Sequence, residues 1–259
     1  MHQNKLLVLG ISLVIAAPSY ANKVCEVKSG TATAALIELY TSEGCSSCPP
    51  ADRTLNDLRR QVGSEAVVVP LALHVSYWDS IGWIDSFAQK TFDSRQRKLL
   101  ENQQHRVVYT PQFFVNGSEL RSWSADLPAA IRRINAKTAP VEIGLKSTPS
   151  ANGTVLLDAN VTARDAHISG MLYVAVSESG LVRRVLRGEN SGATLQHDNA
   201  VRLLFGPIPL EHGSANLSKE ISLPASWNRE HLKASAFVQD GSRILQAVST
   251  AQCDAPRGL

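Results

Sequence analysis

Residues 36–52 read Leu-Ile-Glu-Leu-Tyr-Thr-Ser-Glu-Gly-Cys-Ser-Ser-Cys-Pro-Pro-Ala-Asp. The beginning of this stretch belongs to a mainly apolar run from Ala34 to Tyr40, the texture of a buried strand. Thr41 to Gly44 is a polar turn that delivers the chain to Cys45. Pro49 and Pro50 lack backbone donors but pre-set the dihedral of a first helical turn, so they mark a helix start. Leu55, Leu58 and Val62 then recur at helical spacing, with Arg53, Asp57 and Arg60 on other faces. A strand, a loop ending in Cys45-Ser46-Ser47-Cys48 and a helix beginning beside the cysteines follow from these residues alone.

Outward from this core, Ala66 to Leu73 is a second Val-rich strand that ends at His74. Residues from about 75 to 106 read as an insertion, an aromatic loop (Tyr77, Trp78, Trp83) followed by a polar helix from about Ser86 to Gln103 with Phe92, Leu99 and Leu100 as its packing stripe. Val107 to Val115 is a strand interrupted by Pro111, and Asn116-Gly117 is a strong hairpin signal leading into Ser118 to Trp123. A closing helix spans Ala125 to Ala136. This order over residues 22–139 predicts a thioredoxin-like α/β domain, in which Pro111 is expected to be cis and the Thr110 backbone open to an extended partner. After Pro140 the texture changes to period-two runs such as Val155-Leu157-Ala159-Val161 and Leu172-Val174-Val176, with Asp240-Gly241 as another turn. Residues 140–259 therefore predict an all-β sandwich-like domain.

The amino terminus places His2 and Lys5 before an apolar run from Leu6 to Ala17, with Ser19 and Ala21 as small residues after it. The order is that of a secretory signal peptide over residues 1–21, too short for a span of roughly 20 apolar residues. Periplasmic or secreted localisation and a mature chain without a membrane span are expected. The net charge of +3 is thinly spread, with no basic stripe and no interleaved aromatics, which argues against nucleic acid as a partner.

Four cysteines, Cys25, Cys45, Cys48 and Cys253, allow three pairings. Proximity favours Cys45 with Cys48, leaving Cys25 and Cys253 to form a structural bridge in an oxidising compartment. At a helix start, Cys45 meets unpaired N–H groups and the positive end of the dipole, which stabilise a thiolate; Cys48, deeper in the helix, is the resolving thiol. An alternative use of Cys45, Cys48 and His74 is to bind copper or zinc, since soft thiolates beside an imidazole suit those ions. His74 also fits the plainer role of a buried, hydrogen-bonded histidine. Glu43 reads as solvated. A third reading is a binding module in which the dithiol is vestigial. No nucleotide, flavin or other cofactor signal is present.

These residues resemble one bacterial family. Residues 38–52, the segments Leu73-His74-Val75-Ser76-Tyr77-Trp78-Asp79, Gly82-Trp83 and Val108-Tyr109-Thr110-Pro111-Gln112, and later Gly188-Glu189-Asn190 and His197-Asp198-Asn199, are similar to the secreted thioredoxin-like family catalogued as domain of unknown function 1223. The resemblance covers nearly all of the mature chain and implies a thioredoxin-like fold with a β-rich carboxyl-terminal part. It brings no activity with it. Typical members carry Asp where this chain has Ser76, which makes metal binding there less attractive, and Ser46-Ser47 departs from the Gly-Pro of the best-known oxidoreductases. The leading expectation is an exported thiol-disulfide oxidoreductase in which Cys45 attacks, Cys48 resolves and Thr110 and Pro111 shape the surface for a thiol- or disulfide-containing partner. The sequence leaves the roles of Glu189, Asn190, His197 and Asp198 open between ordering a loop and facing the dithiol.

Overall fold

The computed structural model describes residues 23–101, 103, 106–150 and 152–254. The predicted signal peptide, residues 1–21, lies outside them. The elements in chain order are β1 (Cys25–Lys28), β2 (Ala35–Thr41), α1 (Pro49–Asn56), α2 (Leu58–Val62), β3 (Val68–His74), α3 (Lys90–Leu100), β4 (Gln112–Val115), β5 (Ser118–Glu119), α4 (Trp123–Asn135), β6 (Val141–Pro149), β7 (Thr154–Ala163), β8 (Met171–Glu178), β9 (Leu181–Arg184), β10 (Thr194–His197), β11 (Ala200–Pro209), β12 (Ser214–Ser222), β13 (Leu232–Asp240) and β14 (Arg243–Ser249).

The expectation of an α/β thioredoxin-like fold is overturned: the molecule is mostly β, with 43% of residues in strands against 21% helical, arranged in several sheets. One eight-stranded sheet has the order β14-β13-β8-β11-β3-β2-β4-β5, a four-stranded sheet has the order β1-β6-β7-β12, and β9 and β10 form a two-stranded ribbon. The α/β domain expected over residues 22–139 and the β-sandwich expected over 140–259 instead share one sheet. The junction is on the free side of β3, where Ala72 bridges Ala200 of β11 in parallel and the Ala72 N–H donates to the Asn199 carbonyl at 2.9 Å. Through that junction the strands of the first half continue into β11, β8, β13 and β14, so the strands after Pro140 do not make a separate sandwich.

Burial follows the same plan. All seven residues of β2 are buried, as a strand covered on both faces should be. On one face α1, α2 and α4 cover its near half, with Leu55, Leu58, Leu127 and Ile131 against Ile37, Leu39 and Phe113. On the same face the four-stranded sheet covers the far half, with Ile143, Leu145, Leu157 and Val161 against Leu172, Val174, Ala236 and Val248. The opposite face is one continuous core in which Phe92, Leu99 and Leu100 of α3 share a cluster with Leu36 and Tyr40 of β2, Tyr173 of β8 and Phe237 of β13.

Several local expectations shift at their edges. The polar insertion helix is shorter than residues 86–103, and the strand expected from Val107 is extended only from Gln112. The helix after the cysteines breaks at Asp57 into α1 and α2. Asn116 and Gly117 take positive φ values of 46° and 82° in the β4–β5 turn, the left-handed pair that such a tight hairpin requires. A side chain at Gly117 would run into the Ser242 carbonyl of the β13–β14 turn. Among the described residues no helix is long and apolar enough to cross a membrane.

Candidate functional site

The dithiol sits where β2 hands over to α1. Backbone turns (Cys45 N–H to the Ser42 carbonyl, Cys48 N–H to the Cys45 carbonyl, both 3.2 Å) fold residues 42–48 tightly, and Pro49 and Pro50 occupy the first helical positions. Cys45 and Cys48 are bonded to each other and both are 0% exposed, whereas Ser46 and Ser47 between them are exposed. The Ser47 hydroxyl lies 3.3 Å from Cys45 Sγ. Cys25 and Cys253 are also bonded, tying β1 to the turn after β14.

Beneath this loop the structure gathers buried ionisable groups from five segments. Glu43, expected to be solvated, is fully buried: its Oε2 accepts from the Trp83 indole N–H at 2.7 Å, and its Oε1 lies 3.2 Å from His197 Nε2. Arg183 approaches the same Oε1 at 3.6 Å, an ion pair too long for a hydrogen bond. The physical reason for the burial is that β9, β10 and the loop carrying Trp83 all close over residue 43. The Glu43 N–H donates to Asp85 Oδ2 at 2.9 Å, and the same oxygen lies 2.6 Å from His74 Nδ1. His74 ends β3 directly opposite Thr41 and is buried, its Nε2 without a partner among the described residues. The His74 and His197 rings meet edge to face with centroids 4.8 Å apart. Asp52 is buried as well and lies one turn beyond Cys48 on the inner stripe of α1, with Ala51 and Leu55.

The charge balance of this array is set locally. Burial pushes the Asp52 carboxyl up, only partly opposed by His197, His74 and Thr41. At His74 burial acts downward, but Asp85, with Asp52 and Glu43 behind it, outweighs burial and the net shift is upward. At Asp85 burial acts upward, yet His74 and the N–H groups of Glu43 and Phe87 prevail and bring it from an ordinary 3.8 down to about 2. A carboxyl held below its unfolded value adds stability that is complete above the unfolded value and is lost as pH falls through the folded one. Asp85 is therefore expected to contribute about 2 kcal/mol at about pH 6 that disappears toward about pH 2. Asp52, shifted the other way, works against that trend, so the measurement is the difference in urea unfolding between wild type and Asp85→Asn across this range. Parallel profiles for the two proteins would refute the assignment.

Of the other residues singled out from sequence, Thr110 and Pro111 are joined by a cis peptide and immediately precede β4. Gln112 pairs with Tyr40, which puts them at the end of the sheet from which the dithiol loop leaves. Tyr77 and Trp78 are half-buried against the core under α3. Among the described residues no three of His, Cys, Asp and Glu are arranged to hold a metal ion.

Glu189 and Asn190, in the β9–β10 connection, reach the dithiol loop. The Asn190 side-chain amide donates to the Glu43 and Cys45 carbonyls, each at 2.9 Å. The Glu189 carboxylate accepts from the Ser46 N–H at 3.0 Å and from the Ser46 hydroxyl at 2.7 Å. Asp198, by contrast, accepts from the Gly180 N–H at 2.7 Å and orders a nearby turn.

Residues 36–239 match the family model described as "Protein of unknown function (DUF1223)". The chain belongs to this family. The matched region spans both the dithiol loop and the residues that reach it from β9 and β10. No curated protein matches the sequence. Among solved structures, protein AGR_C_4864 from Agrobacterium tumefaciens is similar, with 24% identity, 85% of this chain and 95% of that one covered, and a TM-score of 0.59. HBP35 of Porphyromonas gingivalis is similar at 18% identity, with 85% and 76% covered and a TM-score of 0.66. At these identities the likeness is one of fold. Family membership agrees with the resemblance carried by residues 38–52.

Asp52 and Asp85 are not candidates in the sequence, and Glu43, next to the dithiol, reads there as solvated. Asp52 has a usable signal, a carboxylate on the same helical stripe as Cys48, Ala51 and Leu55. Asp85 has none, and the burial of Glu43 depends on Trp83 and His197, distant in the chain.

Proposed function

We propose that this protein is an exported thiol-disulfide oxidoreductase that works through Cys45 and Cys48 on a thiol- or disulfide-containing partner. The observation that carries the reading is the position of the pair, bonded immediately before α1 with Cys48 as its N-cap, in a loop whose Glu43 is joined to buried Asp85, His74 and His197. The helix start favours a thiolate at Cys45, and reduction of the pair takes up two protons that nearby buried acids and imidazoles can exchange. Oxidation of a partner dithiol proceeds by attack of a partner thiolate on Cys45 Sγ. The Cys45–Cys48 bond breaks and Cys48 leaves as a thiolate that takes a proton. The partner's second thiolate then attacks the partner sulfur of the mixed disulfide and releases Cys45, so two electrons pass to the pair and the partner becomes a disulfide. The opposite direction retraces these steps, with Cys48 resolving the mixed disulfide. Thr110 and Pro111 border the partner surface. Periplasmic or secreted location is part of the proposal and rests on residues 1–21 and on a chain whose four cysteines are all paired.

The test is equilibration of the purified protein with glutathione redox buffers. The expected outcome is a reversible Cys45–Cys48 couple with a potential between about −270 and about −120 mV. Cys48→Ser should accumulate a mixed disulfide with glutathione on Cys45, and Cys45→Ser should form none there. A pair that never exchanges in the folded protein at any glutathione ratio overturns the reading.

A further inference from the structure

An attacking thiolate must approach Cys45 Sγ in line with the disulfide, yet both sulfurs are wholly covered while Ser46 and Ser47 lie open. The connection from Leu186 to Gly192 is bonded to the dithiol loop. It is exposed apart from the half-buried Asn190, and internal bonds hold its shape: Ser191 N–H to the Gly188 carbonyl at 3.2 Å and Gly192 N–H to the Val185 carbonyl at 2.9 Å. Among the described residues, every side-chain hydrogen bond that leaves this connection ends on the dithiol loop, through Glu189 on Ser46 and Asn190 on Glu43 and Cys45. Gly188 takes a φ of 75°, in the left-handed region, beside Trp83.

Of the four groups these two side chains occupy, three are backbone groups, two carbonyls accepting from Asn190 and one N–H donating to Glu189, and the fourth is the Ser46 hydroxyl. An extended polypeptide offers the matching set, an N–H for a carbonyl and a carbonyl for an N–H, as in strand addition. We infer that residues 186–192 form a latch that occupies the edge on which a cysteine-containing polypeptide docks, and that Glu189 and Asn190 are positioning residues holding it shut until a peptide backbone replaces them. The inference rests on the oxidoreductase reading and names its substrate class: extended polypeptide rather than a small thiol.

The experiment uses the full mature chain in its oxidised form, with Glu189→Ala, Asn190→Ala and the double variant. The rate of reduction of each disulfide by a small phosphine is followed by acid quenching, alkylation and mass spectrometry, with Cys25–Cys253 as the internal reference. The double variant is expected to lose the Cys45–Cys48 bond about tenfold faster, with Cys25–Cys253 unchanged. In wild type, reduction of Cys45–Cys48 by an unfolded polypeptide carrying two thiols should outrun its reduction by reduced glutathione, and the double variant should lose that preference by speeding up glutathione. An unchanged Cys45–Cys48 rate, or equal acceleration of both disulfides as from general loosening, overturns the latch. If wild type and variants react alike with polypeptide and alike with glutathione, the latch fails and the oxidoreductase reading survives. If the variants open to phosphine but pass no electrons to or from any polypeptide or glutathione, the latch stands as a cover and both the substrate assignment and the oxidoreductase reading fail.

Discussion

Arg95→Met is expected to destabilise the protein by about 3–5 kcal/mol, read as a lower midpoint in guanidinium unfolding. Arg95 lies on α3, buried, and its Nε and Nη2 donate to the two oxygens of buried Glu38 at 2.6 and 3.0 Å. Nη2 also donates to the Gln239 side chain at 2.9 Å, and the guanidinium lies 4.9 Å from the ring centre of Tyr173 and 5.0 Å from that of Phe237. Removing the cation leaves Glu38 charged in the core with only the Tyr40 hydroxyl at 3.4 Å to answer it. The cost is the desolvation of an unpaired charge, so the companion change matters: Glu38→Leu with Arg95→Met should recover much of the loss. A single-variant loss under about 1 kcal/mol would show that the pair contributes little to the fold.

The double change Cys25→Ser with Cys253→Ser is expected to cost about 2–5 kcal/mol. The bridge spans 228 positions of sequence, and loop-closure entropy for a ring of that size gives about 5 kcal/mol as the upper figure. In a chain of this length that corresponds to a fall of about 5–15 °C in Tm. The loosening should begin at β1, whose four residues pair only with β6, and at the turn from Thr250 to Cys253. An unchanged Tm under oxidising conditions would mean that neighbouring packing already fixes both ends.

What could be read in the sequence is what depends on near neighbours. The strand into the dithiol, the helix start at Pro49, the Asn116-Gly117 hairpin and the period-two strands after Pro140 each follow from residues within one or two turns of one another. The architecture did not, because the contact that decides it is the bridge between Ala72 and Ala200, two small residues with no pattern to announce them. The site divides in the same way. Cys45 and Cys48 identify themselves, whereas Glu43 looks like any exposed acid until Trp83, His197 and Arg183 are brought around it. Arg95 is hidden for a related reason: a helix rich in charge reads as solvated, and only its position in the fold shows that two of those charges, Asp93 and Arg95, are inside.

The cover over the dithiol also sets an order of events in time. A chain made from its amino terminus presents Cys45 and Cys48 well before the residues that close over them, since Ser46 and Glu189 are 143 positions apart and Cys45 and Asn190 are 145 apart. During that interval the pair is open to whatever oxidant or thiol is at hand, and Cys25 has no partner until Cys253 arrives at the other end. The first bond can therefore be made early and then enclosed, and the second comes last and seals the ends.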